Sequence, residues 1–261
     1  MANLFDALRI SESGARGAAV RQSAVADNVA NAGTVGYRRV DVQFESLVDG
    51  HLARGTGVSA RPRREVGERG PVVPTGVDGD MAVSGNGFFV VTDGQDRFLT
   101  RVGTFHPDAD GILRNGNGFA LLGWGAGGGG ALAPLAVPPN VGGSAVASVR
   151  IAGDGKVSAI LENGQSEPIG TVPLATVANP NGLDALTGTV FRATPASGDV
   201  AVQAPGSGAA GLLVSGALEA SPVNLDEELV TQVVNQTSYA ANLRALVTAS
   251  RMTDKLLDIK S

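Results

Sequence analysis

The sequence predicts an α+β protein in which N- and C-terminal helices pair as a coiled coil around an inserted all-β domain of short strands and hairpins. Residues 1–34 and 223–261 contain no proline and carry apolar residues at three- and four-residue steps. The middle of the chain is rich in glycine and punctuated by proline. The chain has 37 glycines in 261 residues and only 4% aromatic residues, which is typical of short strands joined by tight turns.

The N-terminal helix is predicted from a narrow, alanine-rich stripe of apolar and small residues: Leu4, Leu8, Ala15, Ala18, Ala19, Val25 and Val29. Gly14 and Gly17 interrupt it, at a cost of about 1 kcal/mol each relative to alanine. Such a helix is marginal alone and needs a packing partner. The Asn- and Gly-rich residues 28–37 predict where it ends.

The C-terminal helix is predicted to begin after Asn224, a favourable N-cap, with acidic residues at 226–228 facing the helix dipole. Its apolar stripe comprises Leu229, Val230, Val233, Val234, Ala240, Leu243, Leu246, Val247, Leu256 and Leu257. A helix of about 35 residues would be roughly 50 Å long at 1.5 Å per residue. With the N-terminal stripe it would form an imperfect two-stranded coiled coil, with Gln236, Ser250 and Thr253 in or near the seam.

Between the helices the sequence predicts two regions. Residues 35–80 have scattered Gly, Pro and Arg, and we expect an extended arm or linker there. Residues 81–222 are expected to form a β-rich outer domain, because Asp-Gly and Asn-Gly pairs between alternating apolar residues favour hairpins. The predicted turns lie at residues 84–87, 93–96, 110–111, 115–118, 154–155 and 163–164.

Several classes of chemistry find no support in the sequence. A net charge of −5 with dispersed basic residues argues against nucleic-acid binding. The sequence contains no apolar run of 18 residues, so it predicts no membrane-spanning helix. Residues 125–130 match G-x-G-x-x-G, but prolines rather than a helix follow, so we interpret them as a loop. The chain has no cysteine and only two histidines, His51 and His106. We therefore predict no catalytic residue, cofactor or metal, and no enzymatic activity.

Five motifs, in order along the chain, resemble bacterial flagellar rod and hook proteins. Residues 28–37 (Asn-Val-Ala-Asn-Ala-Gly-Thr-Val-Gly-Tyr) resemble the signature that follows the first helix in that family. Residues 81–89, 98–105 and 110–113 resemble successive parts of its β domain, and 216–223 the entry to its last helix.

The resemblance implies a structural subunit of the flagellar axis, with terminal helices forming an inner tube around the export channel. The implied partners are further copies of this chain, other rod and hook subunits, and the flagellar type III export apparatus. The implied location is the basal body, reached without a cleaved signal peptide, since the N-terminus shows no continuous apolar stretch. The length of 261 residues favours the compact rod plan, of distal or proximal type. A short hook protein and a secreted β-rich carbohydrate-binding protein are the alternatives.

We expect the assembly contacts to come from the helix stripe and from the segment after the first helix: Asn28, Asn31, Gly36, Tyr37, Phe44, Leu229, Val233, Leu243, Leu246 and Leu257. Gly33 or Gly36 is expected to hold a positive φ where the chain turns. Tyr37 and Phe44 would then anchor the arm to a neighbouring subunit, or alternatively pack within their own subunit. On the first view, substituting Gly36 or Tyr37 would weaken assembly without changing the melting of the β domain.

Overall fold

A computed structural model describes residues 2–49 and 54–258 of the chain, and the side chains of 5–48 and 55–255. Helix α1 (Ala2–Ala30) and helix α2 (Leu225–Asp258) flank a long series of strands, which confirms the α+β class.

The strands that follow α1 are, in chain order, β1 Val40–Asp49, β2 Arg54–Arg64, β3 Val72–Pro74, β4 Met81–Ser84, β5 Phe88–Thr92, β6 Arg97–Thr100, β7 His106–Pro107, β8 Leu113–Arg114, β9 Ala120–Gly125 and β10 Ala133–Pro134. The remaining strands are β11 Asn140–Val141, β12 Ser144–Ile151, β13 Lys156–Leu161, β14 Ser166–Thr171, β15 Leu174–Thr176, β16 Asp184–Ala185, β17 Val190–Arg192, β18 Ala201–Gln203, β19 Leu212–Ser215 and β20 Ala217–Glu219.

The chain divides into two compact units. The helical unit consists of Met1–Ala32, Arg39–Glu65 and Val223–Ser261, and the β-rich unit consists of Gly33–Arg38 and Val66–Pro222.

In the helical unit, α1 and α2 run antiparallel, and the hairpin of β1 and β2 packs on α1. The hairpin pairs Phe44 with Ala60. Gly17 faces Phe44 so closely that a Cβ there would lie 2.9 Å from the ring. The hydroxyl of Ser13 accepts a hydrogen bond from the Val58 amide at 3.1 Å. The glycine that weakens α1 as a helix thus makes room for the hairpin.

The predicted arm over residues 35–80 therefore needs correction. Residues 40–49 and 54–64 are a long paired hairpin that belongs with the helices, and the short β3 pairs with β20 in the β-rich unit. Scattered glycine and arginine suggested a linker, but five of the ten residues of β1 are apolar, and the hairpin packs one side on a helix.

The start of α2 is as predicted. The side chain of Asn224 accepts a hydrogen bond from the amide of Asp226 at 3.1 Å, and the Asn224 carbonyl accepts from the amide of Glu228 at 3.1 Å. Asn224 is thus the N-cap, and three acidic residues fill the first turn.

The β-rich unit is built on one large antiparallel sheet whose main path runs β11-β12-β13-β14-β9-β5-β6-β17-β16. Its larger core contains aromatic and aliphatic side chains from most of these strands: Met81, Val83, Phe89, Val91, Phe98, Phe105, Leu113, Leu121, Leu135, Val137, Ile151, Val157, Val172, Leu174, Val190, Ala210 and Leu213. A smaller core on the other side of β5 is formed around Phe88, Val90, Leu99 and Phe191. Because successive side chains of β5 point to opposite faces of the sheet, this one strand contributes residues to both cores.

Most of the predicted turns are hairpins. Gly94, Gly155 and Gly164 have φ of 105°, 85° and 81°, and they connect β5 to β6, β12 to β13, and β13 to β14. The turn at residues 84–87 is not a hairpin, because β4 does not pair with β5 through it but pairs with β19, which lies about 130 residues later in the sequence. A glycine-rich turn shows only that the local backbone can bend. The pairing partner of β4 is decided by the burial of its side chains against β19, which is distant in the sequence.

Gly36 holds the positive φ that the sequence predicts after α1, at 67°. Its amide donates a hydrogen bond to the carbonyl of Glu219 at 2.8 Å, and a Cβ at Gly36 would lie 2.8 Å from the Val102 nitrogen. Gly36 is therefore part of the β-rich unit, and its contacts favour an effect of substitution on that unit over the expectation that the unit is unaffected.

We predict that Gly36→Val lowers the melting temperature of the β-rich unit, because a β-branched residue at positive φ costs about 1–2 kcal/mol even before the backbone contact is counted. The fluorescence of Trp124, the single tryptophan, reports on this unit because it lies in β9. Gly33→Ala is the matched control, since a Cβ at Gly33 meets nothing within 4 Å. Equal melting of the two variants would contradict the prediction.

Candidate functional site

Asn28, from the family-like signature, lies at the centre of a buried junction in the helical unit. Its side chain is 1% exposed. Its amide nitrogen donates to the Val40 carbonyl at 2.8 Å and to Glu228 Oε1 at 3.0 Å, and its oxygen accepts from the Val40 amide at 2.8 Å. One side chain therefore joins the last turns of α1, the start of β1 and the first turn of α2.

Glu228 is the charged member of this junction. It is 1% exposed, and its Oε1 also lies 2.7 Å from Nε of Arg39. Arg39 and the N-terminus of α2 both place positive charge beside this side chain. Among the described residues, Glu228 Oε2 has no hydrogen-bond partner, and Glu228 lines a small cavity of about 70 Å³ together with Arg21 and Thr231.

We predict that Asn28→Ala destabilises the helical unit by about 1–3 kcal/mol, since it removes the partner of buried polar groups. Far-UV circular dichroism at 222 nm during urea unfolding measures the change. Ser23→Ala, at an exposed position of the same helix, serves as the control. Unchanged unfolding of the Asn28 variant would show that the junction carries little stability.

The surface between α1 and α2 is polar on the α2 side. Glu228, Asn235 and Ala249 are buried, and Asn242 is half-buried, so that the inward positions recur every seven residues. Asn235 donates from its amide to the Ala18 carbonyl at 2.9 Å and to Gln22 Oε1 at 3.2 Å.

The contact between the helices is also close. A Cβ at Gly14 would lie 2.5 Å from the side-chain oxygen of Asn242. Gly14 thus permits the close approach of α2 to α1, just as Gly17 permits the close approach of the hairpin.

The apolar stripe of α2 lies largely outside this contact, which corrects the predicted seam. Leu229, Val233 and Leu243 are 54%, 63% and 39% exposed. Leu246 is half-buried, and the side chain of Leu257 falls outside the described residues. The seven-residue spacing of Glu228, Asn235 and Asn242 was the signal for the true inward face, but a search for apolar residues passes over it.

The predicted contact residues after α1 divide between the two units. Tyr37 is 1% exposed in the β-rich unit, so its ring is not available to a neighbouring subunit. Asn31 closes the end of α1 through its amide, which donates to the Asp27 carbonyl at 2.8 Å. Phe44 is 41% exposed, with the guanidinium of Arg21 at 4.9 Å from its ring centroid. Of these residues, Phe44 retains an accessible apolar surface.

A buried ion cluster in the β-rich unit was not predicted from the sequence. Arg38 Nη1 lies 2.7 Å from Glu219 Oε1, and Arg101 Nη1 lies 2.8 Å from Glu219 Oε2. All three side chains are at most 3% exposed. Arg101 also donates to the Gly85 carbonyl at 2.8 Å and lies 5.2 Å from the Phe88 ring centroid. Burial lowers the pKa of Arg101 to about 10, and Glu219 opposes that shift.

Two concave surfaces stand out, one in each unit. In the helical unit an open groove of about 300 Å³ is lined by Ala18, Ala19, Gln22, Asn235, Gln236 and Tyr239. In the β-rich unit a cavity of about 490 Å³ lies along β12 and residues 105–109. Within the described ranges, no three acidic or histidine side chains cluster as metal ligands would. Neither α1 nor α2, over its described residues, is apolar enough to span a membrane.

Three family models match successive parts of the chain. The model for the flagella basal body rod protein matches residues 8–38, and the D1 domain of the flagellar hook protein FlgE/F/G matches 82–159. The C-terminal model of the flagellar basal body rod FlgEFG proteins matches 214–259. The first of these includes the Asn28 junction, and the last includes Glu228 and α2.

Curated relatives align over nearly the whole chain. The flagellar basal-body rod protein FlgG of Bacillus subtilis is 28% identical over 265 aligned residues, covering 95% of this chain and 96% of that protein. The flagellar hook protein FlgE of Brucella suis is 27% identical over 395 aligned residues, covering 99% and 100%. The solved flagellar hook protein FlgE2 of Helicobacter pylori matches with 13% identity and a TM-score of 0.23, covering 70% of this chain and 33% of that one. With three models matched in order and relatives aligned from end to end, the chain belongs to the family of bacterial flagellar rod and hook proteins.

Proposed function

We propose that this chain is a structural subunit of the flagellar basal-body rod. It polymerises helically around the export channel and transmits torque. Its helical unit forms the inner tube, and its β-rich unit, which includes the predicted outer domain of residues 81–222, forms the outer layer. The family assignment replaces the alternative of a secreted carbohydrate-binding protein.

The observation that favours the rod over the hook is the length of the alignment. The FlgG rod protein aligns over 265 residues with both chains almost fully covered. The FlgE hook protein requires 395 aligned positions for the same coverage, so it contains a long segment that this chain of 261 residues lacks. A short hook protein remains the second candidate, because the FlgE relative covers the chain equally well.

Polymerisation through the terminal helices is supported by the surface of α2. Leu229, Val230, Val233 and Val234 are each more than half exposed and lie within two turns of one helix. Contiguous exposed apolar side chains of this kind mark interaction sites. Assembly contacts at Leu229, Val233, Leu243 and Phe44 would bury apolar surface that the single subunit leaves in water.

We further propose that α1 and α2 pair as an antiparallel coiled coil within the subunit. On α1 the residues in contact with α2 include Gly14, Ala18, Gln22 and Asn28, which lie at steps of four, four and six residues. The polar members Asn235 and Asn242 would fix the register of the pair, as a buried asparagine does in other coiled coils.

The partners and location follow from membership of the axial structure. The chain would contact further copies of itself and the adjacent rod and hook subunits, after passage through the flagellar type III export apparatus. It would need no cofactor and perform no catalysis.

Purified hook–basal bodies test the proposal directly. The chain should be present in the rod fraction and remain there when hooks are sheared off. Deleting its gene should abolish the filament, because a missing rod segment leaves no base for later subunits. Recovery of the chain with sheared hooks alone would favour the hook alternative, and its absence from both fractions would overturn the axial assignment.

A further inference from the structure

The helical unit presents two complementary surfaces on different faces. The outer row consists of Leu229, Val230, Val233 and Val234, which are 54%, 65%, 63% and 55% exposed. The groove consists of Ala18, Ala19, Gln22, Asn235, Gln236 and Tyr239 and has a volume of about 300 Å³.

These surfaces cannot meet within one subunit. Asn235 points toward α1, since it donates to the Ala18 carbonyl. Val233 precedes Asn235 by two positions, and at about 100° per residue it lies roughly 200° around the helix. The row therefore faces away from the helix pair that forms the groove.

The two surfaces match in size and charge. The row carries branched aliphatic side chains, whereas the floor of the groove has the small side chains of Ala18 and Ala19. Residues 229–243 contain no charged residue, and every groove residue is uncharged. The nearest cation on α1, Arg21, lies over the ring of Phe44 on the hairpin side. Neither surface would therefore have to bury an unpaired charge on contact.

We propose that the outer row of one subunit packs into the groove of a second copy of this chain. The inference rests on the proposed axial function and specifies which faces of α2 and α1 meet. Tyr239, 41% exposed, lines the groove and offers an aromatic anchor for the incoming row.

The contact is heterologous, since the row and the groove are different surfaces. Each subunit that offers its row still has a free groove, and each that offers its groove still has a free row. Such contacts do not close on themselves in a pair and can continue as a helical array.

Disulfide cross-linking provides the test, because the chain contains no cysteine and every cross-link must come from the introduced pair. The double variant Ala19→Cys/Val233→Cys, expressed in place of the natural chain, is oxidised in purified hook–basal bodies. Cysteines whose Cα atoms lie within about 7 Å can form the bond. We expect a ladder of dimers, trimers and higher species on a non-reducing gel, which dithiothreitol collapses to monomer.

The matched control is Ala19→Cys/Ser250→Cys, in which the second cysteine is exposed on α2 but about 24 Å along the helix from Val234, the last residue of the row. This control should remain monomeric on the gel. Each variant with a single introduced cysteine should form at most a dimer by random collision, and no ladder. Basal bodies that contain the Ala19/Val233 variant but yield no ladder would overturn the row-in-groove contact and leave the axial function standing. A product that stops at the dimer would overturn the heterologous geometry. Absence of the natural chain from basal bodies would instead overturn the proposed function itself.

Discussion

Replacing Glu219 with glutamine is expected to lower the melting temperature of the β-rich unit by ~10 °C. The substitution keeps the shape of the side chain but leaves the charges of Arg38 and Arg101 buried without their shared carboxylate. Breaking a buried ion pair by removing one partner costs about 3–5 kcal/mol, and each kcal/mol shifts the melting point of a unit this size by about 2–4 °C. With its pKa at about 10, Arg101 stays charged near neutral pH.

Thermal unfolding followed by the fluorescence of Trp124 measures this effect in the β-rich unit. Glu167→Gln is the matched control, because Glu167 is an exposed acid on β14 of the same unit. The control should melt as the natural chain does. If the Glu219→Gln variant also melts at the temperature of the natural chain, the ion cluster does not stabilise the contact between residues 33–38 and β20.

Replacing Val233 with aspartate is expected to abolish rod assembly and motility while leaving the isolated subunit as stable as before. Val233 is 63% exposed, so the monomer places the new charge in water. In the assembly the same charge would have to be buried in an uncharged apolar contact, at a cost of several kcal/mol. Because the penalty recurs at every subunit, polymerisation should fail altogether.

Swimming in soft agar and electron microscopy of basal bodies report on assembly, and urea unfolding of the purified chain reports on the monomer. Ser250→Asp introduces the same charge at an exposed α2 position about 24 Å along the helix from Val234, and it should preserve motility. Normal motility of the Val233 variant would remove the outer row from the assembly contacts. Loss of monomer stability would place Val233 in the subunit's own core.

The sequence by itself determined the terminal helices, most of the turns of the β-rich unit, and the family. The terminal helices, the N-cap at Asn224, the positive φ at Gly36 and most Asp-Gly and Asn-Gly hairpins follow from residues close together in the chain. These features depend on local backbone freedom and on capping, which a sequence shows directly. The five motifs likewise identify the family in chain order.

The tertiary structure alone decided which surfaces face inward. In the sequence, Glu219 and Glu228 are indistinguishable from ordinary surface acids. The fold brings Arg38 and Arg101 to Glu219, and Asn28 and Arg39 to Glu228, from distant parts of the chain. The apolar stripe of α2 looks like a core seam, yet the buried positions are polar, because Ala18 and Gly14 let asparagine side chains reach α1. Burial depends on what a residue meets across the fold, and a subunit that completes its core only on assembly leaves its most apolar face exposed.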